Sequence, residues 1–225
     1  MREWPPIAPM IADADDARVP VVVGLTGGMG SGKSTVGRMW ETWGIPRWDA
    51  DAAGAALYRN DASLREAIGA RWGRRMWLGP SPDQHTDINR KELGAVVFQD
   101  PEALQWLNAL VHPRVRAMFC DWWALQLQRP SPPPYVLRES AILLESGFAA
   151  DCDVVILVTA PEPERIARIQ QRDGLTVSEI RQRWVHQWPD ARKFEHVHAH
   201  IQNGPADALL DQIALLHSRL QGNPT

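Results

Sequence analysis

The sequence predicts an α/β fold, a three-layer core in which helices cover a parallel sheet. Three observations predict it. A stiff apolar run, Val19–Leu25, leads straight into a glycine-rich turn and then into a helix-forming segment. From Tyr135 onward, extended apolar segments alternate with amphipathic ones, the pattern of strands joined by crossover helices. Between these two regions residues 52–128 read as helices alone, an insert beside the carboxyl ends of the strands, where such sheets bind ligands.

Taken in order, Val19–Leu25 is a short buried strand. The next helix runs from Gly32 to about Trp43 and stops at Gly44, a residue type suited to a helix C-terminal cap. A turn at "GIP" precedes "RWDAD", a brief extended stretch ending in two acids. Then "AAGAALYRN", "SLREAIGARWG", "RKELGAVVF" and "PEALQWLNALVHPRVRAMFCDWWALQLQ" read as helices, with "LGPSPDQHTD" interrupting them as a loop. Pro101 and Glu102 suit a helix start. "RPSPPP" (129–134) is a rigid connector. "YVLRE" and "DVVILVTA" are strands, "PEPERIARIQQRD" is a helix, and Gly174–His196 is a charged, tryptophan-bearing segment. "AHIQN" is a last short strand and "PADALLDQIALLHSRL" an amphipathic closing helix.

The composition excludes several classes. With 225 residues, 44% hydrophobic and 23% charged, the chain has the balance of a globular protein. A net charge of −3 creates no global basic field, so nucleic-acid binding is not expected. No apolar run approaches the roughly 20 residues that span a bilayer. The first twenty residues lack an apolar centre and carry Asp13, Asp15 and Asp16, so they predict a flexible tail (1–18) rather than a secretory signal. Cys120 and Cys152 form no close pair and are expected as buried, reduced thiols of a cytoplasmic protein. The eleven tryptophans are expected in packing, although Trp122-Trp123 also fits a binding surface.

"GLTGGMGSGKST" (24–35) carries the chemistry. It matches G-x-x-x-x-G-K-[ST] with Gly27, Gly32, Lys33 and Ser34 in register, behind a strand and ahead of a helix. Glycines let successive backbone N–H groups wrap an anion, and the helix start points its positive end at the same anion. The candidate nucleotide-binding residues are therefore Gly27, Gly28, Met29, Gly30, Ser31, Gly32, Lys33, Ser34 and Thr35. Lys33 reaches the β- and γ-phosphates of ATP, and the Ser34 hydroxyl suits Mg²⁺. This P-loop alone serves kinases, GTPases, ATPases and passive binding modules. The absence of N-K-x-D, and of an apolar run ending in Asp-Glu, leaves a small-molecule kinase as the leading class.

Asp49 and Asp51, two apart in an extended stretch, point the same way and would both face the loop from a neighbouring strand end. One of them then takes a proton from an acceptor hydroxyl, or both merely cap the helix that follows at Ala52. Glu139 at the end of "YVLRE" either orients water on Mg²⁺ or is a simple strand-end acid. Arg165, Arg168 and Arg172 share one helix face, and Arg181, Arg183, Arg192 and Lys193 follow. They fit a cationic segment that closes over ATP, or a solvated helix paired with Glu162, Glu164 and Asp173. His196, His198 and His200 alternate as strand neighbours would, a pattern open to a metal but unsuited to Mg²⁺.

Together these pieces resemble the dephospho-CoA kinase family, whose members phosphorylate the 3′-hydroxyl of dephospho-CoA to make coenzyme A. The residues that carry the resemblance are "GLTGGMGSGKSTV", "DAD" (49–51), "LVHP" (110–113), "LLES" (143–146), "QRD" (171–173) and "IQNG" (201–204), spread over about Val21 to Leu220. The resemblance implies that Asp51 activates the acceptor hydroxyl and that Lys33 and Arg172 act on the transferring phosphoryl group. It places Asp49 and His112 near the acceptor and Ser34 and Glu139 at Mg²⁺. It further implies a nucleotide-binding core of residues 19–51, 129–173 and 197–225, an acceptor domain over 52–128 and a lid over 174–196. The acceptor's adenine is expected to stack on aromatic residues of that domain. The implied partner is the small molecule dephospho-CoA, with no nucleic acid and no membrane, and the implied assembly is a monomer or weak homo-oligomer. Two rivals are a kinase for another hydroxyl or nucleotide acceptor and a non-catalytic nucleotide-binding module. Three positions depart from the family: Glu139 stands for an aspartate, Ala141 for a proline and Gln202 for an aspartate.

Overall fold

The computed structural model describes residues 19–78 and 87–222. The expected tail at 1–18, most of the loop "LGPSPDQHTD" and the last three residues lie outside the described residues. Five strands form one sheet: β1 (Val21–Thr26), β2 (Arg47–Asp49), β3 (Tyr135–Glu139), β4 (Val154–Thr159) and β5 (Ala199–Gln202). Their order is β2-β3-β1-β4-β5, and every pairing is parallel. Parallel neighbours need crossovers, which the intervening helices supply. The α/β class with a parallel sheet is therefore as the alternating sequence predicts.

The helices are α1 (Lys33–Thr42), α2 (Ala50–Asn60), α3 (Ala62–Trp72), α4 (Arg90–Val97), α5 (Pro101–Leu127), α6 (Glu162–Asp173), α7 (Val177–Trp184), α8 (Asp190–Lys193) and α9 (Leu209–Leu220). Two boundaries differ from the sequence reading in ways that matter. The helix expected from Ala52 begins at Ala50, and the closing helix begins at Leu209, after a turn in which Gly204 N–H donates to Asp207.

The chain divides into two compact units, 1–49 with 122–225, and 50–121. In the first unit, alternate residues of the strands make one core. Val23 and Leu25 of β1, Tyr135 and Leu137 of β3, Val154, Ile156 and Val158 of β4, and Ala199 and Ile201 of β5 pack with Val36 and Trp40 of α1 and Ile213, Leu216 and Leu220 of α9. The intervening residues face the other way. Gly24 lies against Leu143 and Cys152, where an added Cβ would meet Leu143 at 2.6 Å. Arg138, fully buried, donates to Asp151 at 2.9 Å and lies over the Phe148 ring. In the second unit, Asp61 caps α3 by accepting from Leu64 N–H and also holds the Arg114 guanidinium at 2.8 Å. Leu57, Leu64, Ile68, Leu93, Leu107 and Val111 are among its buried residues.

The cysteine expectation is half corrected. Cys120 is exposed on α5, whereas Cys152 is half-buried, and burial pushes its thiol up to about 12. A residue on the outer side of a helix stays exposed however apolar its neighbours in sequence are. Trp40 and Trp48 are buried, but Trp122 and Trp123 are only half-buried.

The histidines of "HVHAH" do not act as a set. The ring of His198 accepts the Val155 N–H at 3.0 Å, that of His200 bonds the Thr159 hydroxyl at 2.6 Å, and that of His196 packs on Trp188. Only His200 lies inside β5, because the strand begins at Ala199. On α9, His217 bonds the Tyr135 hydroxyl at 2.5 Å. Burial holds His112, His200 and His217 below the ordinary histidine value, so the fold disfavours their protonated forms. The unfolded chain then binds more protons as pH falls through about 6.5, and stability falls with it. The thermal unfolding midpoint is expected to drop steadily from about pH 7.5 to about pH 5.5. His217→Gln should flatten that slope; a slope that is flat in the unmodified chain would contradict the assignment.

Candidate active site

Parallel pairing sets the carboxyl ends of three adjacent strands side by side. Glu139 pairs in register with Leu25 on β1 and with Asp49 on β2. The glycine-rich loop leaves β1 at this edge and runs into α1. Gly30 and Gly32 have φ of 82° and 89°, in the left-handed region that a side chain rarely tolerates, so both positions need glycine. Within α1 the first backbone bonds come from Thr35 and Val36 to the Gly32 carbonyl. Amides earlier in the helix therefore have no intrahelical partner, which is the arrangement that binds anions.

The outer side of the loop is tied down by its carbonyls. Met29 O accepts from Arg165 Nε at 3.1 Å. Gly30 O and Ser31 O each accept from Arg168 Nη1 at 3.4 Å, and Ser31 O also accepts from the Asn203 carboxamide at 2.8 Å. Arg168 Nη2 in turn donates to Asn203 O at 2.9 Å. In a trans peptide the carbonyl and the next N–H point in opposite directions. Anchoring Met29 O and Ser31 O outward thus turns the N–H groups of Gly30 and Gly32 inward. Ser31 is buried, and its hydroxyl has no hydrogen-bond partner among the described residues.

The charged side chains converge beneath the loop. Glu139 is 1% exposed. Its Oε1 accepts from the Ser34 hydroxyl and lies 3.9 Å from Lys33 Nζ, while its Oε2 accepts from Arg47 Nη1 at 2.7 Å. Arg47 also pairs with Asp49 at 3.6 Å and with Glu41 at 3.0 Å. Ser34 and Glu139 offer oxygen donors side by side, the donor type that Mg²⁺ prefers. The substitution of glutamate for aspartate at 139 thus still delivers a carboxylate oxygen to the loop serine.

Segment 174–196 touches the loop through Gln187, whose carboxamide oxygen accepts the Met29 N–H at 2.9 Å, and its Asp190 pairs at 3.1 Å with Arg165, the residue that holds Met29 O. Glu145 fastens the same segment, holding Lys193 Nζ at 3.0 Å and the Trp188 N–H at 2.8 Å. Lys193 is fully buried there and also donates to Ala141 O. Among the cations of the expected closing segment, it is therefore a structural strut, because a buried ammonium needs a carboxylate at hand. Arg181 pairs with Glu162 in the open, and Arg192 lies over the Trp188 ring.

The sequence reading and the structure part at three places. Asp49 and Asp51 are not an extended pair: β2 ends at Asp49, and Asp51 sits in the first turn of α2, in the second unit. The i, i+2 argument fails because the helix starts two residues early. β2 is also not the neighbour of β1, since β3 lies between them. Of the three arginines on α6, Arg165 and Arg168 hold the loop, whereas Arg172 is 64% exposed and grips Asp173 at 2.7 and 2.8 Å. That contact raises the Arg172 pKa and lowers that of Asp173. His112 lies on α5, where Pro113 is accommodated within the helix. In the second unit Trp72 and Trp106 meet edge to face at 5.1 Å, with Arg71 4.7 Å from the Trp106 ring.

Asn203, Gln187 and Arg47 are site residues that the sequence reading missed. Asn203 follows β5 and was within reach of a strand-order argument; Gln187 and Arg47 carry no local signal. Gln202, where the family has an acid, is exposed, and its backbone pairs with the Gln212 side chain. That departure touches nothing in the loop.

Residues 21–207 match the family model described as dephospho-CoA kinase. The chain belongs to the dephospho-CoA kinase family. The dephospho-CoA kinase of Parasynechococcus marenigrum is 34% identical over 201 residues, covering 89% of this chain and 96% of the relative. That of Geobacillus kaustophilus is 37% identical over 186 residues, covering 81% and 88%. A crystal structure from Thermus thermophilus superposes with a TM-score of 0.74 at 29% identity, over 92% of this chain and 99% of that one. Family membership makes the chain a kinase with ATP as phosphoryl donor and a small-molecule acceptor that carries an alcohol. Among the described residues no helix is long and apolar enough to cross a membrane.

Arg168→Met removes two hydrogen bonds to loop carbonyls and the one that holds Asn203, and is expected to weaken ADP binding about tenfold, the scale of lost charge-assisted hydrogen bonds. Calorimetric titration measures it; unchanged affinity would show that the loop keeps its shape without them.

Proposed function

We propose that the chain transfers the γ-phosphoryl group of ATP to the ribose 3′-hydroxyl of dephospho-CoA, giving coenzyme A. The observation that carries this reading is the loop itself, a cradle with its carbonyls anchored outward and Lys33 and Ser34 at its mouth, in a chain of this family. ATP lies on Gly27–Thr35, with the β-phosphate against the inward amides and Lys33 on the β- and γ-oxygens. Ser34 and Glu139 hold Mg²⁺ there, which when bound screens the charge of the phosphates.

Asp51 takes the proton of the attacking hydroxyl. Its place in the first turn of α2, two residues past the end of β2, joins it to the strand edge that carries Asp49. Residues 52–128 form the acceptor domain, and its His112, together with Asp49 of the core, helps to place dephospho-CoA. Trp72 and Trp106 are the aromatic pair there that suits an adenine. Residues 174–196 form the lid, and Arg172, just ahead of Gly174, meets the spreading negative charge as the lid closes. Residues 19–51, 129–173 and 197–225 form the core. The protein works in the cytoplasm as a monomer or weak homo-oligomer, without nucleic acid.

The reaction is tested by offering the purified chain ATP, Mg²⁺ and a panel of acceptors and separating the products. Dephospho-CoA should be consumed in preference to nucleoside monophosphates; the reverse preference would overturn the reading. Asp51→Asn should lower kcat about 10²-fold or more with ATP affinity nearly intact, the scale of a lost general base. Unchanged turnover would remove Asp51 from its role.

A further inference from the structure

Arg47 never reaches the loop, yet its guanidinium is the centre of the charge network below it. Its Nη1 lies 2.7 Å from Glu139 Oε2 and 3.6 Å from Asp49, and its Nε lies 3.0 Å from Glu41. Three carboxylates from β3, β2 and α1 thus bracket one cation whose side chain is only 16% exposed. A planar fork presents its donors to carboxylates in fixed, different directions, whereas an ammonium is a compact point charge on a flexible stem. The helix makes room for it at Gly37. A Cβ there would sit 2.5 Å from Arg47 Cδ and 3.1 Å from Glu139 Oε2.

We propose that Arg47 is a positioning residue for the phosphate site, holding Glu139 by Oε2 so that Oε1 faces the Ser34 hydroxyl and Lys33 stays directed to the donor's phosphates. The inference rests on the proposed pairing of Ser34 and Glu139 at Mg²⁺.

Glu139 is almost wholly buried, and a buried carboxylate that loses its partner is strongly destabilised. The next cation is Lys33, whose Nζ is 3.9 Å from Oε1 on the side away from Arg47. With Arg47 in place, Glu139 has its counter-ion on one oxygen and the Ser34 hydroxyl on the other. Without it, the least costly response is for the carboxylate to turn and draw Lys33 in closer than its present 3.9 Å. The lysine would then be withdrawn from the phosphates, and the Ser34 hydroxyl would lose its acceptor. Arg47 therefore acts on nucleotide handling through Glu139, without touching nucleotide.

The test uses Arg47→Met, Arg47→Lys and Glu139→Gln, with ADP affinity measured by calorimetry in Mg²⁺ and in EDTA alongside steady-state kinetics. Arg47→Met should weaken ADP binding in EDTA about fivefold or more and raise the Mg²⁺ concentration for half-maximal rate by a similar factor. Arg47→Lys should restore part of both losses. Glu139→Gln removes the charge that captures Lys33, so Arg47→Met added to Glu139→Gln should cost ADP affinity little more. Gly37→Ala, which pushes the Arg47 stem aside with every charge retained, should reproduce the losses in weaker form and replaces Arg47→Met if that variant does not fold. The proposal is overturned if Arg47→Met lowers only the unfolding midpoint, or if its effect and that of Glu139→Gln on ADP affinity simply multiply. A Glu139→Gln variant with unaltered Mg²⁺ dependence would instead sink the metal reading, and the EDTA affinities would still judge Arg47.

Discussion

The outward anchoring of three loop carbonyls is the constraint on which the rest depends. A glycine-rich loop is free to adopt many shapes, and nothing intrinsic to it keeps N–H groups turned toward an anion. Arg165, Arg168 and Asn203 supply that bias from outside, on Met29, Gly30 and Ser31. They come from α6 and from the residue after β5, so the cradle is shaped by elements that follow it in the chain by more than a hundred residues. The order β1-β4-β5 in the sheet is what brings them there. The anchors are cations or amide donors, and their charge adds to the field that draws phosphate in.

The second convergence lies on the other side of β1. β3 sits between β1 and β2, so Glu139 emerges between the loop and Asp49. Its two oxygens divide the labour: one meets Ser34, the other Arg47. A different acid, Glu145, holds Lys193 and Trp188 of segment 174–196. The loop also touches segment 174–196 directly, since Gln187 takes the Met29 N–H, while Asp190 takes Arg165 of α6. One arginine, Arg165, thus links the loop backbone, Asp190 and the Trp184 ring.

Much of this was legible in the sequence, and what was not has a physical reason. The loop motif was legible because its spacing is dictated by the size of a phosphate, and strands β3 and β4 because buried parallel strands are nearly uniform in apolarity. Glu139 read equally as a partner of the loop and as a simple strand-end acid, and only its burial beside Ser34 and Lys33 separates the two. The roles of Arg165, Arg168 and Arg172 could not be separated, since one helix face carries all three and only tertiary contacts decide which turn meets the loop. Lys193 read as a surface cation because its partner, Glu145, is 48 residues away in sequence. Asp51 read as extended because alanine and aspartate around it suit a helix start and a strand end alike. Arg47 gave no signal at all: its function comes from the gap at Gly37 and the pairing of β2 with β3.

The central claim is that the anchored loop presents inward amides to the donor's phosphates. The amide proton and nitrogen resonances of the chain, recorded as ADP and Mg²⁺ are added, test it most directly. The account predicts that the largest downfield shifts fall on Gly30, Gly32 and Ser34, as their N–H groups take up phosphate oxygens. Shifts that spare these three amides and concentrate elsewhere would contradict it.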